Sequence, residues 1–236
     1  MDSKTKDELI LLTSIKSHSL WCDNEIKSFY DRLINTSDKD SAIMRFNKAC
    51  YKDNNKRNEI IINDNNILNK CFNDYDYFKD LIDKKNIIIK RYVKRDISIE
   101  DIKILGNDYI DGMENILKDF NELSSVSKME AMDGAISSIK VYEDLRFANI
   151  SIDNMNDDKI KDIIGIAIHN DWLKRNIDHA SDNLKVSYLE LDEWNKLQDL
   201  NIFYIMLDII KDNPSRYYIE SKNMELPNYM EGEKRY

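Results

Sequence analysis

Residues 167–172, AIHNDW, place a histidine three residues before a tryptophan in a chain that has only three of each. Histidine changes charge near neutral pH, so it is the first candidate for proton transfer or metal ligation. The histidines are His18, His169 and His179. The last two lie ten residues apart, nearly three helical turns, and one straight helix cannot aim both at a single metal ion. Cys22, Cys50 and Cys71 are odd in number, widely spaced and form no C-x-x-C pair, which fits a reduced protein and neither a disulfide scaffold nor a zinc ribbon. Phosphate-cradling glycine loops, H-E-x-x-H and G-x-S-x-G are absent from the sequence. Acidic pairs such as Glu143-Asp144 and Asp192-Glu193 occur, but in a chain that is 33% charged such pairs arise by chance. No metal or cofactor is expected.

The composition narrows the partners. The 236 residues carry a net charge of −9, which opposes broad binding to a phosphate backbone, because that binding needs a basic surface. The basic stretch 84–95, KKNIIIKRYVKR, alternates cations with apolar residues and reads as one face of a half-buried element, so nucleic acid is not the expected partner. Nothing approaches the run of about 20 apolar residues that a membrane-spanning helix needs, and the N-terminal apolar run is too short for a secretory signal. The expectation is a soluble, acidic, cytoplasmic protein. The richness in Asp, Asn, Ile, Lys and Tyr suggests an AT-rich genome, that of a phage or large DNA virus, a clostridial-type bacterium or a protist; if the source is viral, the location is the cytoplasm of the host cell.

The elements that must position these residues are mostly helices. Five glycines and two prolines are too few for a many-turned β fold. Thr5 and Glu8 have capping-box spacing before a helix over about 5–20. Ile26, Phe29, Tyr30, Leu33 and Ile34 give a second amphipathic stretch, and 41–51 continues in that style before a polar loop at 52–58. The β-rich runs 59–64 and 86–93 flank a helical YDYFKDLIDKK and could pair as one two-stranded ribbon. Ser98 with Asp101 marks a helix start, and Ile99, Ile102, Leu105, Tyr109, Met113, Ile116, Leu117 and Phe120 form one helical stripe. Met129, Met132, Ile136, Ile139, Tyr142 and Leu145 form the next. The polar stretch 149–158 is the internal boundary, followed by helices over about 158–179 and 192–211, the latter stopped by Asn213-Pro214. The division is therefore an N-terminal helical region over 1–150, a C-terminal helix–loop–helix region over 151–221, and a loosely ordered tail over 222–236. The fold class is all-α, a helical bundle with room for one small ribbon.

Three resemblances follow from these residues. RNIDH at 175–179 is similar to the R-x4–6-H motif of helical HEPN ribonucleases, one residue short, and implies Arg175 and His179 on one helix face. AIHNDW has a second half: SYLELDEWNKLQD at 187–199 begins with Tyr188, then Leu191, Lys196 and Asp199 at three, eight and eleven residues on. The two halves together resemble the ryanodine-receptor repeat domain, with its A-x-H-x-x-W helix, variable loop and Y-x-x-L-x-x-x-x-K-x-x-[DN] lead into a second helix. The match covers about 160–212. It lacks the loop glycine-tryptophan and shows one copy. It implies a structural helix–loop–helix in which Trp172 and Tyr188 pin the loop while His169, Lys196 and Asp199 fix the helices. IIGIAIHNDW before a last long helix, with IKILGNDY at 102–109 similar to a degenerate BH3 segment, also resembles poxvirus Bcl-2-like immune modulators.

The expectation is a non-catalytic protein that binds a protein partner or small ligand, with a phage or viral accessory role in modulating host defence. Inhibition of host apoptosis or innate signalling in the Bcl-2 manner, and HEPN-like RNA cleavage, are the alternatives. The acidic surface with tail aromatics permits a homodimer. His169, Trp172, Tyr188, Leu191, Lys196 and Asp199 are the binding or structural signature, and no catalytic residue is assigned.

Overall fold

A computed structural model of the chain describes residues 1–35, 70–84, 90–92, 97–106, 109–110, 113–115, 117–152, 157–178 and 180–229. They are mostly helical: α1 (Ser3–Ile34), α2 (Tyr75–Asp83), α3 (Ile99–Leu105), α4 (Ser125–Phe147), α5 (Asp158–Asn176) and α6 (Glu193–Asp212), with short 3₁₀ turns at Phe120–Glu122, Asp182–Leu184 and Tyr188–Glu190. The strands β1 (Lys90–Tyr92), β2 (Tyr109–Ile110) and β3 (Met113–Asn115) form a small antiparallel sheet in the order β1-β3-β2. No helix among the described residues is long and apolar enough to cross a membrane.

The chain divides into two units: Met1–His18 with Met129–Tyr236, and Ser19–Lys128. The polar stretch 149–158 thus lies inside the first unit. The core of that unit combines Leu9 and Ile10 of α1, Ala135, Ile139 and Leu145 of α4, Ile164 and Ile168 of α5, and Phe203, Met206 and Ile210 of α6. Caps explain the helix boundaries. The Asp157 side chain accepts from the Lys159 amide at the start of α5, and Asp192 accepts from Asn195 at the start of α6. Asn213 ends α6, as the Asn-Pro pair predicts.

Three sequence readings need correction. The stretches read as helices over 5–20 and 26–34 are one helix, whose N-cap acceptor is Asp2, 2.8 Å from the Thr5 amide, and not Thr5 itself. The single stripe over 99–120 is not one helix. α3 begins at Ser98 as expected, but Gly106 adopts φ +52, a left-handed conformation that suits glycine, and the chain turns into the β2–β3 hairpin. The tail is tied down through residue 229: the amides of Lys222 and Met224 both donate to the Phe147 carbonyl, and the Tyr229 hydroxyl donates to Asp144. Residues 230–236, the run 41–51, the loop 52–58 and the run 59–64 lie outside the described residues. The described partner of 90–92 is Met113–Asn115.

The second unit packs Ile26 and Tyr30 of α1 against Phe78 and Ile82 of α2, Cys71 and Leu117. Its organising polar group is Glu114 on β3. This carboxylate is fully buried, lies 3.4 Å from the equally buried Lys118 ammonium, and accepts from the Ser124 amide, the Ser124 hydroxyl and the Ser127 hydroxyl at 2.6–2.7 Å. Every hydrogen bond compensates part of the desolvation that a buried ion pair would otherwise carry. Ser124 in turn caps α4 by accepting from the Ser127 amide. Removing the carboxylate takes away the ion pair of the buried Lys118 and the acceptor of three serine donors, so Glu114→Ala is expected to cost about 3–5 kcal/mol in urea denaturation, while Glu114→Leu with Lys118→Met recovers only the ion-pair part of that loss. A single-variant cost below about 1 kcal/mol would show that the pair holds nothing.

Candidate functional site

α5 carries His169 and Trp172 one turn apart, on adjoining parts of one face. Their rings stack with centroids 5.9 Å apart and planes 18° from parallel. Tyr188 arrives from the loop, on a 3₁₀ turn steadied by the Ser187 amide donating to Glu190. Its ring is buried against the α5 backbone at Gly165, where an added Cβ would lie 2.1 Å from the Tyr188 Cζ. Only the absent side chain lets the ring lie there. Ile166, Tyr188 and Leu191 then close a small apolar cluster on this side of α5. The helix is consequently buried on nearly every side from Ile164 to Asn170, and not along the single stripe that its spacing suggests.

His169 is 2% exposed, and both ring nitrogens are engaged. Nε2 lies 3.0 Å from the Val186 carbonyl, and Nδ1 lies 3.2 Å from Oδ2 of Asp199 on α6. A carbonyl can only accept, so Nε2 carries a hydrogen and donates. One further proton is then needed on the Nδ1–Oδ2 axis, held by the imidazole or by the carboxyl. Burial pushes the Asp199 carboxyl above its ordinary value, while the hydrogen bond and the charge of His169 pull the other way. Burial, reinforced by the Asp199 charge, also raises the Tyr188 phenol. The constellation therefore joins α5, the loop and α6 through one ring.

Of the signature residues, His169, Trp172, Tyr188 and Asp199 meet, and Leu191 packs beside Tyr188. Lys196 stays on its own helix, 3.2 Å from Glu193. Arg175 is held by Asp171 on α5 and by Asp133 on α4, with Ser137 accepting from it at 3.3 Å. His179 lies outside the described residues, three positions past the end of α5. Of the described residues of 102–109, Ile102–Leu105 belong to α3 and Tyr109 to β2. Glu143 accepts from Lys6, Asp144 accepts from Tyr229, Asp192 caps α6 and Glu193 meets Lys196, so the acidic pairs serve structure. In the basic stretch, Lys84 meets Asp80 at 2.7 Å and 90–92 is β1. Burial first, then nearby carboxylates, pushes the Cys22 thiol up to about 12, and burial with Asp74 pushes Cys71 up to about 11; such thiols are poor nucleophiles. Cys50 lies outside the described residues. Among the described residues no cluster of His, Cys, Asp and Glu could hold a metal ion.

Two sets of residues escape a reading by motif. One is the Ser137–Asp171–Arg175 group between α4 and α5. The Ser137 hydroxyl donates to Asp171, whose carboxyl burial would raise; that hydrogen bond and the Arg175 charge outweigh burial and hold it below its ordinary value. The other is Asn170, 6% exposed, whose Nδ2 donates to the Tyr229 carbonyl at 3.4 Å while Oδ1 has no hydrogen-bond partner. The i, i+4 spacing of Asp171 and Arg175 was the available signal for the first; the second had none. Comparison with protein-family models, with curated proteins and with solved structures finds no match to this chain.

Gly165→Ala gains about 1 kcal/mol of helix propensity but drives a methyl into the Tyr188 ring, so a net loss of about 1–3 kcal/mol is expected in urea melts. In a Tyr188→Ala background the same change should stabilise, and additive costs would place the ring elsewhere. Asp171, with its depressed folded value, contributes stability that is complete above its ordinary value of 3.8 and lost as pH falls below it. Arg175→Ala should flatten that acid limb of the stability profile; an unchanged limb would remove Arg175 as its cause.

Proposed function

We propose that this is a non-catalytic binding protein whose C-terminal helix–loop–helix is a scaffold of the ryanodine-receptor-repeat kind. The observation that carries the reading is the engagement of His169: one nitrogen on the Val186 carbonyl, the other on Asp199, and its ring against Trp172 and Tyr188. A general base needs a nitrogen free to reach a substrate proton. This one instead fixes the loop and the last helix. Arg175, the residue an RNase reading requires, is likewise held by two carboxylates.

The bound species on this reading is a protein partner or a small ligand. The residue usage that suggests an AT-rich genome supports a phage or viral accessory role in host-defence modulation, with the host cytoplasm as its setting.

Incubation of the purified protein with single-stranded RNA is expected to leave the RNA intact. Cleavage that disappears in His179→Ala, at an unchanged melting temperature, would replace this reading with the ribonuclease one.

A further inference from the structure

A cavity of about 150 Å³ opens between α4, α5 and the C-terminal segment that ends at Tyr229. α4 contributes Ser137 and Lys140; α5 contributes Asn170, Asp171 and Lys174; Tyr229 closes one side. All belong to the first unit. Three features of this lining point to a ligand.

The first is charge. Lys140 and Lys174 are both exposed, on two different helices, and neither has a carboxylate within 4.0 Å among the described residues. Lys6, Lys161, Lys185 and Lys196 of this unit are each paired with a carboxylate, whereas the exposed Lys4, Lys16, Lys159 and Lys211 are not paired among the described residues. What sets Lys140 and Lys174 apart is their place: in a chain of net charge −9, two ammoniums from two helices stand at one opening. The carboxylate in the lining, Asp171, is already met by Arg175 and by the Ser137 hydroxyl, so it leaves the opening positive. The second is an acceptor without a donor. Asn170 lines the cavity, is 6% exposed, and its Oδ1 is buried with no hydrogen-bond partner. Its amide orientation is fixed, because Nδ2 must face the Tyr229 carbonyl. A buried acceptor left so is unfavourable until a donor arrives. The third is size. A cavity of about this volume admits a molecule of benzene dimensions, which is about six heavy atoms.

We propose that this cavity binds a small oxyanion that carries its own hydroxyl, either a hydroxycarboxylate or a protonated phosphate. The oxyanion meets Lys140 and Lys174, and the hydroxyl supplies the hydrogen that Asn170 Oδ1 lacks. Tyr229 makes the C-terminal segment one wall, so occupancy and the seating of that segment are linked. The inference rests on the binding reading above and names the chemistry of one ligand.

Isothermal titration at constant ionic strength, with lactate, inorganic phosphate and propionate as probes, tests it. Saturable binding of lactate or phosphate is expected, and whichever binds identifies the oxyanion. Propionate, which lacks the hydroxyl, should bind at least about 10-fold more weakly than lactate, as expected where a site hydrogen-bonds a ligand hydroxyl. The Lys140→Glu/Lys174→Glu variant should weaken binding by about 10-fold or more, while Lys211→Glu, an exposed charge change on α6, should not. Both variants carry substitutions at exposed positions, and equal melting temperatures confirm their fold. Absence of saturable binding by both lactate and phosphate, equal affinity for propionate and lactate, or binding indifferent to the lysine reversals each overturns the assignment. A protein that binds no probe and leaves RNA intact loses only this cavity assignment, whereas RNA cleavage overturns the binding reading whatever the titration gives.

Discussion

An aromatic ring can lie directly on a helix only where a side chain is missing, and Gly165 supplies that gap. With Tyr188 seated there, the loop after α5 is held against the helix, Val186 comes within reach of His169, and Leu191 joins the cluster that precedes the Asp192 cap of α6. The glycine is unfavourable for the helix by about 1 kcal/mol relative to alanine. What it gains is a buried ring and a fixed loop. The polar half of the arrangement follows from the apolar half: His169 can bridge Val186 and Asp199 because the Tyr188 contact fixes the path of the chain between them.

The two units solve the problem of buried charge in the same manner. In the first, the His169–Asp199 pair shares a proton between two elements. In the second, Glu114 meets Lys118 and three serine donors from two residues. In neither is a charged group left facing apolar walls alone. Such pairs need not add much net stability, but removing one partner leaves the other uncompensated, which makes them strict about which elements meet.

Much of the helical layout was legible from spacing. The ends of α4 and α6, the Ser98 start of α3 and the Asn213 stop are set by local chemistry, and local chemistry is what spacing reports. The pairing of 167–172 with 188–199 was legible as a pattern as well, though its atoms were not: nothing in the residue types says that Gly165 is the seat for Tyr188, or that Lys196 faces Glu193 and not the other helix. The hairpin at 109–115 was missed because its apolar residues also fit a helical period. Gly106 was the competing signal, and a glycine at positive φ outweighs a stripe that spans it. Asn170 and Glu114 were invisible, since a polar residue reads as surface until the fold buries it.

The first unit takes Leu9 and Ile10 from one end of the chain and Phe203, Met206 and Tyr217 from near the other, with the whole second unit between them in sequence. On a ribosome, which releases the N-terminal side first, the Leu9–Ile10 end of α1 therefore emerges before the rest of its core has been made. The buried residues that share its core begin at Ala135 on α4 and end at Ile219, whereas the described core residues of the second unit all lie between Ile26 and Leu117. The core of the middle unit is therefore complete in sequence before that of the first, and α1, which gives Leu9 and Ile10 to one core and Ile26 and Tyr30 to the other, has one end able to pack long before the other.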